Sequence, residues 1–169
     1  VSSLQSLQVL VVDDNQHMRA ITSTVLHSAN IHKVHEATNG AEAFDILRQF
    51  PVDLAIVDYN MYPLDGVEFT RMVRTSAQSA NIYLPIIMMS GHAEKSRVYA
   101  ARDAGVTEFL VKPITAKAII DRINAVIFKP RPFVKTETYF GPCRRRREIA
   151  GYAGPFRRVA DARRASNAA

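Results

Sequence analysis

Short apolar runs recur along the first 129 residues, and most are followed by a stretch whose apolar positions keep helical spacing. Leu7–Val12, Asp53–Asp58, Pro85–Met89 and Glu108–Val111 are too short for helices. They lack apolar–polar alternation, which predicts strands covered on both faces of a parallel sheet. Val34, between Lys33 and His35, marks a more polar strand suited to a sheet edge. Between the strands, Met18, Ile21, Val25 and Leu26 form one helical stripe behind a capping Asn15. Asn39-Gly40-Ala41-Glu42 and Asp65-Gly66-Val67-Glu68 have capping-box form. They open helices with inner faces Ala43, Phe44, Leu47 and Phe69, Met72, Val73. The polar stretch Thr75–Asn81 reads as a loop. A helix of mostly small residues, Glu94–Ala104, stops at Gly105, and Thr115 caps a last one carrying Ile119, Ile120, Ile123, Val126 and Ile127. Pro130 ends it.

Five strands alternating with five helices predict an α/β fold: a doubly wound, five-stranded parallel sheet with right-handed crossovers. The flavodoxin-like strand order 2-1-3-4-5 is the natural one. Ligands of such sheets collect at the carboxyl ends of the strands.

Charge divides the chain in two. Residues 1–129 carry 12 Lys+Arg against 13 Asp+Glu, whereas residues 130–169 carry 10 against 3. The net charge of +6 therefore comes from the tail, and nucleic-acid binding has to be argued for the tail alone. No apolar run approaches the ~18–20 residues that cross a bilayer. The opening residues lack the basic region of a signal peptide, and the single Cys143 has no disulfide partner within the chain. A cytoplasmic location is the expectation. There is no phosphate loop, Gly-rich dinucleotide fingerprint or nucleophile elbow. The five histidines show no metal-ligand spacing with Cys143 and read mostly as surface residues.

In that strand order, strands 1, 3, 4 and 5 are neighbours. Their carboxyl ends bring Asp13 and Asp14, Asp58, Ser90 and Lys112 together. Taken singly, Asp13 or Asp14 would be read as a helix cap, Ser90 as a cap and Lys112-Pro113 as a turn. Together they carry chemistry. Three carboxylates repel one another and call for a hard cation such as Mg2+, which keeps waters and contacts phosphate oxygens. A hydroxyl and an ammonium suit the remaining oxygens of a phosphoryl group. A carboxylate can itself attack phosphorus, and this points to phosphoryl transfer onto Asp58.

At these residues the chain closely resembles the receiver domain of bacterial two-component response regulators, over roughly residues 7–128. The resemblance rests on Val-Val-Asp13-Asp14-Asn, Asp58-Tyr-Asn60-Met, Asp65-Gly66, Met-Met-Ser90-Gly91 and Phe109-Leu-Val-Lys112-Pro113. It implies that Asp58 accepts a phosphoryl group from a histidine kinase or histidine phosphotransfer protein, making the chain a phosphorelay protein rather than an enzyme acting on separate substrates. It implies Mg2+ at Asp13, Asp14, Asp58 and the Asn60 backbone carbonyl, with Ser90 and Lys112 on phosphate oxygens. Ser90 and Phe109 would form the switch, read out by the surface of the fourth helix, fifth strand and fifth helix. Asn60 and His92 fall where family members tune dephosphorylation. In two places the chain departs from the family. Proline follows the acceptor one residue late, at Pro63, which predicts an altered turn with the site retained. Phe109 stands where tyrosine is common, so the switch would rely on packing.

Residues 130–169 read as a basic, Pro/Gly-interrupted extension of the 1–129 receiver, too short for a DNA-binding output domain. Tyr139-Phe-Gly-Pro-Cys-Arg144-Arg145 and Tyr152-Ala-Gly-Pro-Phe-Arg157-Arg158 repeat thirteen residues apart. The bland expectation for this segment is a solvated, largely disordered extension. The repeat suggests two displayed turns, each offering an aromatic and an arginine pair to an acidic partner, nucleic acid or anionic lipid. The output protein is unspecified, and a homodimer stays open. Two other function classes compete. One is a nucleic-acid-binding regulator acting through the Arg-rich tail. The other is an aspartate-nucleophile phosphatase, but haloacid-dehalogenase-type enzymes carry a second aspartate two residues past the nucleophile, where this chain has Asn60.

Overall fold

The computed structural model of the protein describes residues 4–144. Five parallel strands, β1 (Gln8–Val12), β2 (Lys33–Ala37), β3 (Leu54–Asp58), β4 (Ile86–Ser90) and β5 (Glu108–Val111), lie in the order β2-β1-β3-β4-β5. Between and after them run α1 (Gln16–Ser28), α2 (Gly40–Gln49), α3 (Gly66–Thr75), α4 (Lys95–Ala104) and α5 (Ala116–Phe128). The strand order is the one the sequence predicts, with the polar β2 at an edge.

The apolar runs have a direct structural cause. Leu10, Val12, Ala55, Val57, Ile86 and Met88 point into one core layer with residues of α2, α3 and α4. Their neighbours Val9, Val11, Leu54, Ile56, Ile87 and Met89 point into a second layer with α1 and α5. Every position of β3 and β4 is buried, so neither strand has a solvent face to encode in polar residues.

Local chemistry fixes the helix starts. Asn15 accepts from the His17 and Met18 amides, and Thr115 from the Ala118 amide. The Asp65–Glu68 capping box closes in both directions. At α2 only half of the expected box forms: Asn39 accepts from the Glu42 amide, but the Glu42 carboxylate turns to the amide and hydroxyl of Thr38. Gly105 ends α4 at φ 104°, a left-handed conformation that only glycine adopts without strain. One helix face differs from expectation. Ile21 is 52% exposed, and α1 turns Thr22, Ser23 and Leu26 inward. Small residues let the helix lie close to the edge of the sheet, and the Ser23 hydroxyl donates to Glu36 at 2.8 Å.

Beyond α5, β6 (Phe133–Lys135) and β7 (Phe140–Pro142) form an antiparallel hairpin where a solvated extension was expected. The hairpin is held by aromatic and arginine contacts. Phe133, Phe140 and Tyr83 form a cluster with ring centroids 5.1–5.6 Å apart. The buried Arg74 guanidinium lies over the Phe133 ring and donates to the Gly105 and Ile82 carbonyls. Arg131 donates to the Cys143 and Thr107 carbonyls. A Cβ on Gly141 would come within 2.9 Å of the Gly105 Cα, so the two backbones meet where neither residue carries a side chain.

Candidate functional site

The carboxyl ends of β1, β3, β4 and β5 meet because the parallel register sets them level. Val12 pairs with Val57, Asp58 with Met89, and Ser90 with Val111. The ladder runs one residue further at each end: the Asp13 amide donates to Ala37, Tyr59 to Met89 and Lys112 to Ser90. These backbone bonds hold the functional side chains on rigid elements, where positions are better fixed than on free loops.

Asp13, Asp14 and Asp58 each offer a carboxylate oxygen within 4.8 Å of the others, the one such group among the described residues. Asp13 and Asp58 are buried and Asp14 is exposed. Lys112 reaches between the two buried acids, with Nζ 2.9 Å from Asp58 Oδ1 and 3.5 Å from Asp13 Oδ2. Burial pushes the Asp58 carboxyl above the usual carboxylate range. The Lys112 hydrogen bond pulls it down, and the Asp13 charge pushes it up again. Burial works against the Lys112 ammonium, yet the hydrogen bond and charge of Asp58 prevail and raise its pKa. One ammonium among three carboxylates leaves the site short of positive charge. Asp13 Oδ1 accepts from the Asn15 amide, while the buried Oδ2 has only its 3.5 Å ion pair with Lys112. A buried carboxylate oxygen held by one long ion pair, beside two further oxygen donors, fits a hard divalent cation.

Ser90, fully buried, presents its hydroxyl oxygen as acceptor to the His92 amide at 3.1 Å. His92 and Asn60 are exposed. Phe109 is half-buried, packs on the core layer of α2–α4, and lines a cavity of about 90 Å3 shared with Val98, Ala101, Tyr139 and Pro142. After Asp58, Met61 is buried, Tyr62 is 85% exposed and the Tyr62–Pro63 bond is cis, as is Lys112–Pro113. The chain is brought back to the end of β3 by the Gly66 amide, which donates to the Tyr59 carbonyl at 3.0 Å. A Cβ on Gly66 would lie 2.4 Å from the Asp58 carbonyl oxygen, which explains why glycine follows Asp65.

The tail residues fare differently. Tyr139 is buried, not displayed: its hydroxyl donates to the Pro142 carbonyl at 2.8 Å, and the Arg144 guanidinium lies 4.0 Å from its ring centroid. Arg144 also binds Asp103 of α4 at 2.7 Å. Residues 139–144 of the first copy are therefore packed against the protein's own surface, because Tyr139 and Arg144 find partners on α4 and within the hairpin. Arg145, Tyr152, Arg157 and Arg158 lie outside the described residues. Sequence reading missed Arg97, which donates to Asn60 Oδ1 at 3.1 Å and stacks 4.9 Å from the Tyr59 ring centroid. Nothing in its local spacing marks it; only the packing of α4 brings it to the loop after β3.

The carboxyl edge of this doubly wound sheet thus gathers three carboxylates that could hold a metal ion, with a lysine between two of them. The family model for the response regulator receiver domain matches residues 9–124, and the chain belongs to that family. It is similar to chemotaxis protein CheY-3 of Vibrio cholerae, at 26% identity over 72% of this chain and 92% of the relative. Chemotaxis protein CheY of Pseudomonas aeruginosa is 29% identical over 71% of this chain and 95% of that protein. The crystal structure of Vibrio cholerae CheY4 covers 72% of this chain and 98% of its own, at 29% identity and a TM-score of 0.65. The protein is thus a response regulator of two-component signalling, and such receivers are signalling proteins rather than classical enzymes. No described helix is long and apolar enough to cross a membrane.

Proposed function

We propose that Asp58 is a phosphoacceptor and takes its phosphoryl group from the phosphohistidine of a histidine kinase or histidine phosphotransfer protein. The observation that carries this reading is the Asp58 carboxylate, buried at the end of β3, hydrogen-bonded to Lys112 and within 4.8 Å of the Asp13 and Asp14 oxygens. An Asp58 oxygen attacks phosphorus, the phosphorus–nitrogen bond breaks, and the imidazole leaves with the electron pair and takes up a proton. Lys112 and the Ser90 hydroxyl hold equatorial oxygens of the transferring group. Asp13, Asp14, the Asp58 carboxylate and the Asn60 backbone carbonyl would hold Mg2+, which when bound neutralises charge on the phosphoryl oxygens.

Phosphorylation draws the Ser90 hydroxyl towards the new anion and lets Phe109 turn inward, so that α4, β5 and α5 present a changed face to an output protein. Residues 1–129 form the phosphoacceptor unit, and 130–169 are an extension rather than a separate domain. Incubation with acetyl phosphate and Mg2+ is expected to add one phosphoryl group per chain, and Asp58→Asn to prevent it. Wild-type protein that binds Mg2+ but takes up no label overturns the reading.

A further inference from the structure

Arg97, in the first turn of α4, bridges to the acceptor loop through a side chain that is held on several sides. Its Nη1 donates to Asn60 Oδ1 at 3.1 Å, its Cζ lies 4.9 Å from the centroid of the Tyr59 ring, and its Nε is 3.9 Å from the Glu94 carboxylate. A guanidinium has only donors, so the atom of the Asn60 amide that faces it must be the oxygen. That contact fixes which way round the amide sits, and leaves the NH2 end for an acceptor elsewhere. Asn60 stands two residues past Asp58, in the loop that follows β3.

We propose that Arg97 is a positioning residue for loss of the phosphoryl group: by holding Oδ1, it keeps the Asn60 NH2 turned to the phosphoryl oxygens and the attacking water. The proposal rests on Asp58 being the phosphoacceptor. In the step concerned, a water oxygen bonds to phosphorus and the phosphorus–oxygen bond to Asp58 breaks. The carboxylate leaves with the electron pair, and the protons of the water pass to the released phosphate and to solvent. A free amide would spend part of its time with its oxygen toward the anion, repelling it; one pinned by Arg97 does not. Stacking on Tyr59 and the Glu94 contact restrict the arginine beforehand, so little further ordering is needed in the reaction.

The test loads the full chain with radiolabelled acetyl phosphate and Mg2+, removes the donor, and follows decay of the labelled fraction in four proteins: wild type, Arg97→Met, Asn60→Ala and the double variant. Methionine retains a stem over Tyr59 and removes every donor, which separates hydrogen bonding from packing. Arg97→Met is expected to slow decay about fivefold, the effect of one hydrogen bond. Asn60→Ala is expected to slow it at least as much, and Arg97→Met to add nothing in that background. Wild-type decay in Arg97→Met, or the same slowing with and without Asn60, overturns the positioning role while leaving the phosphoacceptor in place. Failure of the wild type to label overturns both.

Discussion

Gly66 is where the fold and the site constrain each other most tightly, and Gly66→Ala tests that constraint. The added Cβ would lie 2.4 Å from the Asp58 carbonyl oxygen, 3.2 Å from its carbon and 3.1 Å from the Met88 methyl. Atoms of this kind pack at about 3.5 Å, so a gap of about 1 Å must be opened. Neither side can give way easily. The oxygen belongs to the last residue of β3, buried on both faces, and the Gly66 amide is tied to the Tyr59 carbonyl at 3.0 Å. Overpacking in well-packed regions costs about 1–3 kcal/mol, and a backbone obstacle places this case near about 3 kcal/mol. With a urea slope of about 2 kcal/mol per molar, the unfolding midpoint should fall by about 1.5 M. Urea unfolding followed by circular dichroism measures it, with Gly91→Ala as control. A Cβ at Gly91 meets nothing within 4 Å, so that variant should stay within about 0.5 kcal/mol of wild type. Because the strain falls on the Asp58 peptide, labelling from acetyl phosphate should drop as well. A Gly66→Ala protein as stable as the control would refute the reasoning.

Four further outcomes follow from the same geometry. Burial raises the Asp58 pKa, so its ionised form costs stability, and that cost grows as pH rises from the unfolded carboxylate range through the higher folded value. Asp58→Asn should therefore raise the thermal midpoint at pH 7, by a margin that closes below about pH 4. Mg2+ should stabilise the wild type by about 2.7 kcal/mol at one hundred times its dissociation constant, and Asp13→Asn should lose most of that gain in calorimetry. Tyr139→Phe removes the 2.8 Å bond to the Pro142 carbonyl and should cost about 1 kcal/mol by chemical denaturation. Arg74→Met strands the Gly105 and Ile82 carbonyls beneath the hairpin and should cost about 2 kcal/mol in the same assay; no loss would mean that water replaces the guanidinium.

The sheet was legible because burial on both faces writes itself as unbroken apolar runs, and β3 and β4 are the clearest instances. The acidic pair, Asp58, Ser90 and Lys112 were legible because each ends such a run, so the strand order alone predicts that they meet. What escaped depends on contacts between elements distant in sequence. Ile21 keeps helical spacing with Met18 and Val25 and still faces solvent, because smaller residues of α1 serve the contact with the sheet. The hairpin was hidden because its aromatics pack on Tyr83 and Arg74, residues about fifty to sixty positions earlier that carry no strand pattern. Tyr139 read as a displayed side chain because a turn motif does not reveal what lies beneath it. Arg97 had no motif at all, and only the position of α4 over the loop after β3 brings it to Asn60.

The central claim is that one carboxylate, and not its neighbours, carries the phosphoryl group. Borohydride reduction converts an aspartyl phosphate to homoserine in place, and peptide mass spectrometry then locates the altered residue. After loading with acetyl phosphate and Mg2+, homoserine is expected at position 58 and at no other aspartate. Homoserine at Asp13 or Asp14, or an unaltered Asp58 in protein that has taken up label, would contradict the account.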